Sequence, residues 1–112
     1  MVRIVFPTND KMSYISPVET TFDNAEYLTI LNVRGQNITA VETIDNPYIH
    51  SKDGLLKACK ENRFGVLISP NGNCLPLKKL QKNGVSVYKA NDHKLILHTF
   101  SDFIQDKLQK VS

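Results

Sequence analysis

Residues 65–88 read GVLISPNGNCLPLKKLQKNGVSVY, and the order of signals in them decides the fold. Gly65-Val66-Leu67-Ile68 is a short apolar run that suits a buried strand. The polar loop Pro70-Asn71-Gly72-Asn73-Cys74 follows. Asn73 is a good helix N-cap, and Pro76 fits a first helical turn, where its missing N–H costs least. Leu77 and Leu80 are placed to face a core, Asn83-Gly84 is a strong helix stop, and Val85–Tyr88 is a second strand. Strand, helix and strand with short connections predict a βαβ unit. Its loop puts a glycine and a thiol where helix N–H groups point outward and attract anions.

Upstream, Val2–Phe6 reads as a strand closed by Pro7. Residues 8–17 form a polar loop with proline at each end, and Thr8, Asn9, Ser13 and Ser16 offer it a polar rim. Residues 26–33 (EYLTILNV) and 37–44 (NITAVETI) are aliphatic and β-branched, and Arg34-Gly35-Gln36 between them signals a hairpin. Ile38, Ala40 and Ile44 are expected on one covered sheet face. Ser51–Asn62 reads as a helix capped by Ser51, with Leu55, Leu56 and Cys59 inward. At the C-terminal end, Ile96, Phe100, Phe103, Ile104, Leu108 and Val111 make one helical stripe. A single helix over about 93–110, capped by Asn91 or Asp92, follows. The expectation is one α/β domain over residues 1–112, with a mixed sheet, a β-hairpin and flanking helices. Loops 8–17 and 69–74 leave the carboxyl ends of parallel strands, where ligands of such sheets sit, and should lie side by side.

Composition sets the outer bounds. The chain has 112 residues, enough for one core without staples. Residues 1–50 carry three basic against six acidic side chains, residues 51–112 eleven against five. The basic half either attracts an anionic partner or presents the solvated faces of helices. Cys59 and Cys74 form no CxxC pair and no zinc-ribbon spacing. No apolar run reaches membrane-spanning length, so the expectation is a soluble cytoplasmic protein. There is no Gly-x-Ser-x-Gly elbow and no P-loop lysine. Asp10, Glu42 and Asp45 do not make the converging carboxylate set of a two-metal nuclease, because the loops after residues 68 and 88 supply no acid before Asp92. Specific nucleic-acid binding is not expected, since aromatics are not interleaved with the lysines.

VFPTND at 5–10, SYISP at 13–17, FDNAEYLTILNV at 22–33, IDNP at 44–47 and GVLIS…LPLKKLQKNGVSVYKA at 65–90 recur as an ordered set. With them the chain resembles the dinitrogenase iron–molybdenum cofactor-binding family, which includes NifX, NifY, NafY and the C-terminal domain of NifB. The resemblance covers essentially the whole chain. It implies a ribonuclease-H-like topology and a non-enzymatic role: binding or carrying an iron–molybdenum or iron–sulfur cofactor, or its precursor, among metallocluster biosynthesis proteins of nitrogen fixation. Two departures bear on the site. The family's His-Phe-Gly-Arg-Ala run, whose histidine is a candidate cofactor contact, reads here Thr21-Phe22-Asp23-Asn24-Ala25. Its Gly-Gly-Ile-Gly turn reads Pro70-Asn71-Gly72-Asn73.

Thr8, Asn9, Ser13, Ser16, His50, Asn71, Gly72, Asn73 and Cys74 are therefore the candidate cofactor-binding residues. Cys74 and His50 are the candidate metal ligands. A thiol at a helix N-terminus carries more thiolate, the form that ligates metal, and imidazole ligates iron. The alternatives are a packed cysteine and a solvated loop histidine. A protein-interaction module that keeps the fold without the cofactor is the second reading.

Overall fold

The computed structural model describes residues 2–47, 52–72, 75–90 and 94–111. Six strands and three helices follow in the order β1 (Val2–Thr8), β2 (Tyr27–Arg34), β3 (Asn37–Asp45), α1 (Lys52–Asn62), β4 (Val66–Ser69), α2 (Leu77–Lys82), β5 (Ser86–Lys89), α3 (Ile96–Ile104) and β6 (Gln109–Lys110). The sheet runs β3-β2-β1-β4-β5-β6. β1 pairs parallel with β4 and β4 with β5, while β1–β2, β2–β3 and β5–β6 are antiparallel. This is the mixed sheet of a ribonuclease-H-like fold. The carboxyl ends of β1, β3, β4 and β5 thus share one edge, at Thr8, Asp45, Ser69 and Lys89.

β1 to β5 alternate their apolar side chains between two layers. Val5, Leu28, Ile30, Leu67 and Val87 pack under α1 and α2 against Leu55, Cys59 and Leu80. Ile4, Phe6, Leu31, Val66 and Ile68 pack on the other face against Ile96 and Phe100 of α3. Each fully buried Leu, Ile or Phe contributes roughly 1.5–3 kcal/mol.

The hairpin turns at Gly35, whose φ of 64° is the left-handed conformation that glycine adopts without steric cost. Beyond it the register shifts. Val33 pairs with Ile38 but Asn32 with Ala40, leaving Thr39 as a bulge whose hydroxyl donates to the Asn32 carbonyl at 3.0 Å. The extra residue reverses the pleat. Ile38 and Val41 join the α3 layer, Ile44 joins the α1–α2 layer, and Ala40 is exposed. The expected common face of Ile38, Ala40 and Ile44 is corrected accordingly.

Two helix boundaries are corrected as well. α2 begins at Leu77, with Pro76 in the N-cap position at ψ 74° and no side-chain cap. Proline disfavours the helical region for the residue before it, and Leu75 is instead buried in the α1–α2 layer. The last helix stops at Ile104 rather than near residue 110. Asp106 takes φ 58°, Lys107 N–H reaches the Asp102 carbonyl at 2.9 Å and Asp106 N–H the Phe103 carbonyl at 3.1 Å. These two bonds make a Schellman closure. Leu108 is then buried from an extended segment, Val111 is exposed, and β6 pairs with β5. The cap expected at Ser51 lies outside the described residues; α3 begins at Ile96 with Leu95 in the N-cap position, so neither Asn73 nor Asn91 or Asp92 caps its helix. No helix among the described residues is long and apolar enough to cross a membrane.

Candidate functional site at the carboxyl edge of the sheet

Of the nine candidate site residues, His50, Asn73 and Cys74 lie outside the described residues; the other six are placed. Thr8 is fully buried, its hydroxyl 2.9 Å from that of Thr29. Ser16 is also fully buried: its hydroxyl accepts from Met12 N–H at 2.9 Å, and its carbonyl receives Ile96 N–H at 3.0 Å. Both side chains therefore serve the fold. Asn9 is exposed and organises its loop. Its amide donates to the Glu19 carboxylate at 2.5 Å, and its side-chain oxygen accepts Glu26 N–H at 2.9 Å. Ser13 opens a short 3-10 turn, Ser13–Ile15, at φ 59°.

Asn71 and Gly72 lie on the loop that leaves β4. Asn71 is exposed; its N–H donates to the Thr20 carbonyl at 3.0 Å, and its own carbonyl accepts the hydroxyl of buried Ser69 at 3.1 Å. Gly72 has no positive φ. A Cβ there would meet Leu75 and Val87 at an ordinary 3.7 Å, so the backbone does not demand glycine.

The loops after β1 and β4 do meet, through a segment different from the one expected. The 3-10 turn at 13–15 packs beside β2, β3 and α3. Pro17 bridges to Leu95, and Val18 N–H bonds the Lys94 carbonyl at 3.0 Å. Only then does the chain cross the edge, where Thr20 receives Asn71 and Phe22 enters the α1–α2 layer. Asn46, just after β3, secures this crossing by donating to the Phe22 and Ala25 carbonyls. The bond to the β4 loop is thus made by Thr20, beyond the expected 8–17 segment.

Thr21 sits in the middle of that crossing. Its Oγ1 is buried and has no hydrogen-bond partner, and it is the sole such side-chain atom among the described residues. A buried hydroxyl left unpaired costs about 1–3 kcal/mol, so its persistence calls for an explanation. It is also the position at which the resemblance expects a histidine. Thr21 thus joins the candidate site residues, which the polar-rim reasoning did not include; the mismatch at Thr21-Phe22-Asp23-Asn24-Ala25 was its one sequence signal.

Among the described residues, more acidic than basic side chains stand on the segments at this edge. Asp10, Glu19, Asp23, Glu26 and Asp45 border it, against Lys11, Lys89 and Lys94. Lys94 is already engaged with Asp102 at 3.0 Å. Five further lysines of the basic half are exposed on the helices: Lys57 and Lys60 on α1 and Lys78, Lys79 and Lys82 on α2. Among the described residues, no group of three or more His, Cys, Asp or Glu is arranged to hold a metal ion. Cys59 is buried in the apolar layer, and burial pushes its thiol up to about 12, which favours the protonated form.

The fold and the loops at the carboxyl edge of its sheet can be compared with those of known proteins. The sequence profile described as dinitrogenase iron–molybdenum cofactor matches residues 1–106, and the chain belongs to that family. No curated protein sequence matches it significantly. Solved structures share its fold. PH0822 superposes with a TM-score of 0.80 at 19% identity, over 97% of this chain and 96% of that one. The apo form of the orange protein from Desulfovibrio gigas gives 0.78 at 17% identity, over 100% and 94%. TM1290 from Thermotoga gives 0.75 at 22% identity, over 99% and 94%.

Proposed function

We propose that this chain is a non-enzymatic carrier for an iron–sulfur or iron–molybdenum cofactor species, bound as cargo at the carboxyl edge of the sheet. The observation that carries the reading is the unpaired, buried Thr21 hydroxyl, held where the β1 and β4 loops cross. Family membership supports the class of cargo. A preassembled cluster brings its own bridging sulfides, so a carrier needs few ligands and gains from hydrogen bonds to those sulfurs. Thr21 would donate one such bond, and Cys74 and His50 are the proposed iron ligands. The acidic border of the edge means that bulk charge does not draw an anionic cluster in. Retention then depends on directional bonds and on ligation. Partners would be the metallocluster proteins that hand the cargo over and receive it.

A second reading, a protein-interaction module without cargo, is favoured by one observation. Met12, Tyr14, Ile15 and Leu97 are large apolar side chains, and all are exposed about the 3-10 turn and the start of α3. Anaerobic uptake of an iron–sulfur cofactor precursor, followed by visible absorbance, separates the two. The carrier gains absorbance, loses it on Cys74→Ala, and loses less on His50→Ala. Wild type gaining none would leave the interaction module.

A further inference from the structure

We infer that the amino edge of the sheet, where β1, β4 and β5 begin, docks an acidic segment of a partner protein. Three pieces of chain meet there. The β2–β3 hairpin turns beside the start of β1, since Val2 pairs with Val33. β3 and β4 end at the carboxyl edge and β4 and β5 start at the amino edge, so α1 and α2 each return between them and end here. The strand starts are neighbours: Gly65 N–H bonds the Arg3 carbonyl and Ser86 N–H the Gly65 carbonyl, each at 3.0 Å. Arg3 also donates to the Asn62 carbonyl and, at 3.0 Å, to the Asn32 side-chain oxygen. The end of α1 is thereby tied to β2, where Arg34, two residues on, shares the face of Asn32.

Charge selects the partner. On residues 34–37, 60–64 and 79–84, Arg34, Lys60, Arg63, Lys79 and Lys82 are exposed and make no ion pair among the described residues. The one acid on these segments, Glu61, faces Lys57 at 3.8 Å. Helix dipoles favour a cation in each last turn. That does not account for Arg34 on the hairpin. Nor does it explain why position 63, at φ 56° and beyond the helix, holds arginine where glycine would be unstrained. A row of unpaired cations draws an anionic partner. The segments expose no aromatic side chain on which a base could stack and no large apolar side chain to enter a lipid surface. The carboxylates of an Asp- and Glu-rich segment, such as an acidic tail, need neither. The seven residues of β1 span roughly 20 Å, so a segment docked here leaves the carboxyl edge uncovered.

A fluorescein-labelled deca-glutamate peptide, titrated with the full chain at low salt and followed by anisotropy, tests this. Wild type is expected to bind it, and more weakly as salt rises. Arg63→Glu combined with Lys82→Glu should weaken binding at least about tenfold. Lys89→Glu combined with Lys110→Glu makes the same change in net charge on β5 and β6 and should alter binding less than about twofold. Arg63→Gly relieves backbone strain and should still weaken binding, which separates docking from folding. No binding by wild type overturns the proposal, and so do equal losses in the two double variants. Tighter binding of a short DNA duplex overturns it in favour of a nucleic-acid surface. Open-ended association of the chain with itself in sedimentation equilibrium overturns it too, by seating the acid-rich edge of a second copy here. None of these measurements involves the cargo.

Discussion

Asn71 donates its backbone N–H to the Thr20 carbonyl at 3.0 Å, locking the loop after β4 to the chain that crosses over from β1. That bond fixes the backbone on one side of Thr21, and Phe22, seated in the core, fixes the other. The Thr21 side chain is thus presented by a rigid frame, although its own hydroxyl is unpaired.

Replacing that hydroxyl by a methyl should uncouple stability from binding. Thr21→Val keeps the shape and removes an unsatisfied polar group, so the apo protein should gain about 1 kcal/mol in urea unfolding. Cofactor uptake should weaken. Thr21→His, which restores the residue expected from the family, should strengthen uptake. A Thr21→Val protein that is no more stable and binds as well as wild type would remove Thr21 from the site.

All three helices end alike, and this gives a second prediction. Phe64 N–H reaches the Cys59 carbonyl at 3.1 Å, Val85 N–H that of Leu80 at 3.0 Å, and Lys107 N–H that of Asp102 at 2.9 Å. The left-handed residue in each closure is Arg63, Gly84 or Asp106. Side chains with a Cβ are strained there. Arg63→Gly and Asp106→Gly should each stabilise the fold by about 0.5–1 kcal/mol, and Gly84→Ala should destabilise it by about 1 kcal/mol. Gly72→Ala, at an unstrained position, should change stability by less than about 0.5 kcal/mol. Thermal midpoints of the four variants check the pattern, and a destabilised Arg63→Gly would contradict it.

Arg3 crosses the sheet to Glu42 at 2.8 Å, with Asn32 between them donating to the same carboxylate at 2.7 Å. The Asn32 hydrogen bond and the Arg3 charge together outweigh partial desolvation and hold the Glu42 carboxyl below its ordinary value. A lowered native value means that the stabilisation is present at neutral pH and is lost as pH falls through that native value. Glu42 is half exposed to solvent, so the effect is at most about 1 kcal/mol. Urea midpoints of wild type should fall more steeply between neutrality and pH 3 than those of Glu42→Gln. Parallel curves would discount the network.

Cys59 gives the opposite sign. Burial raises its thiol to about 12, so the fold favours the neutral form. That stabilisation is complete below the ordinary thiol value and is lost as pH rises toward the native value. Iodoacetamide at mildly alkaline pH should leave Cys59 unmodified in the native protein and label it in urea, as read by peptide mass mapping. Native labelling at Cys59 would show that the α1–α2 layer opens readily.

The element order was legible because local signals agreed with one another. Gly35 turned the hairpin, Asn83-Gly84 ended α2, and the alternating apolar runs became strands. The end of α3 was not legible. A periodic apolar stripe runs on through Leu108 and Val111, and the residue that breaks the helix is an aspartate, which carries no glycine signal. Only the pairing available along β5 makes leaving the helix favourable. The bulge at Thr39 was hidden for a similar reason, since hydrophobic alternation does not reveal an extra residue until a partner strand sets the register. At the candidate site, residue types placed polar side chains on the loops at the carboxyl edge of the sheet but did not reveal which of them point inward. Thr8 and Ser16 read as a polar rim, yet packing turned both inward, where Thr29 and the Met12 amide satisfy them. Whether a hydroxyl is paired depends on neighbours distant in sequence. The unpaired state of Thr21 therefore belongs to the tertiary structure, where the chain from β1 must cross to meet Asn71.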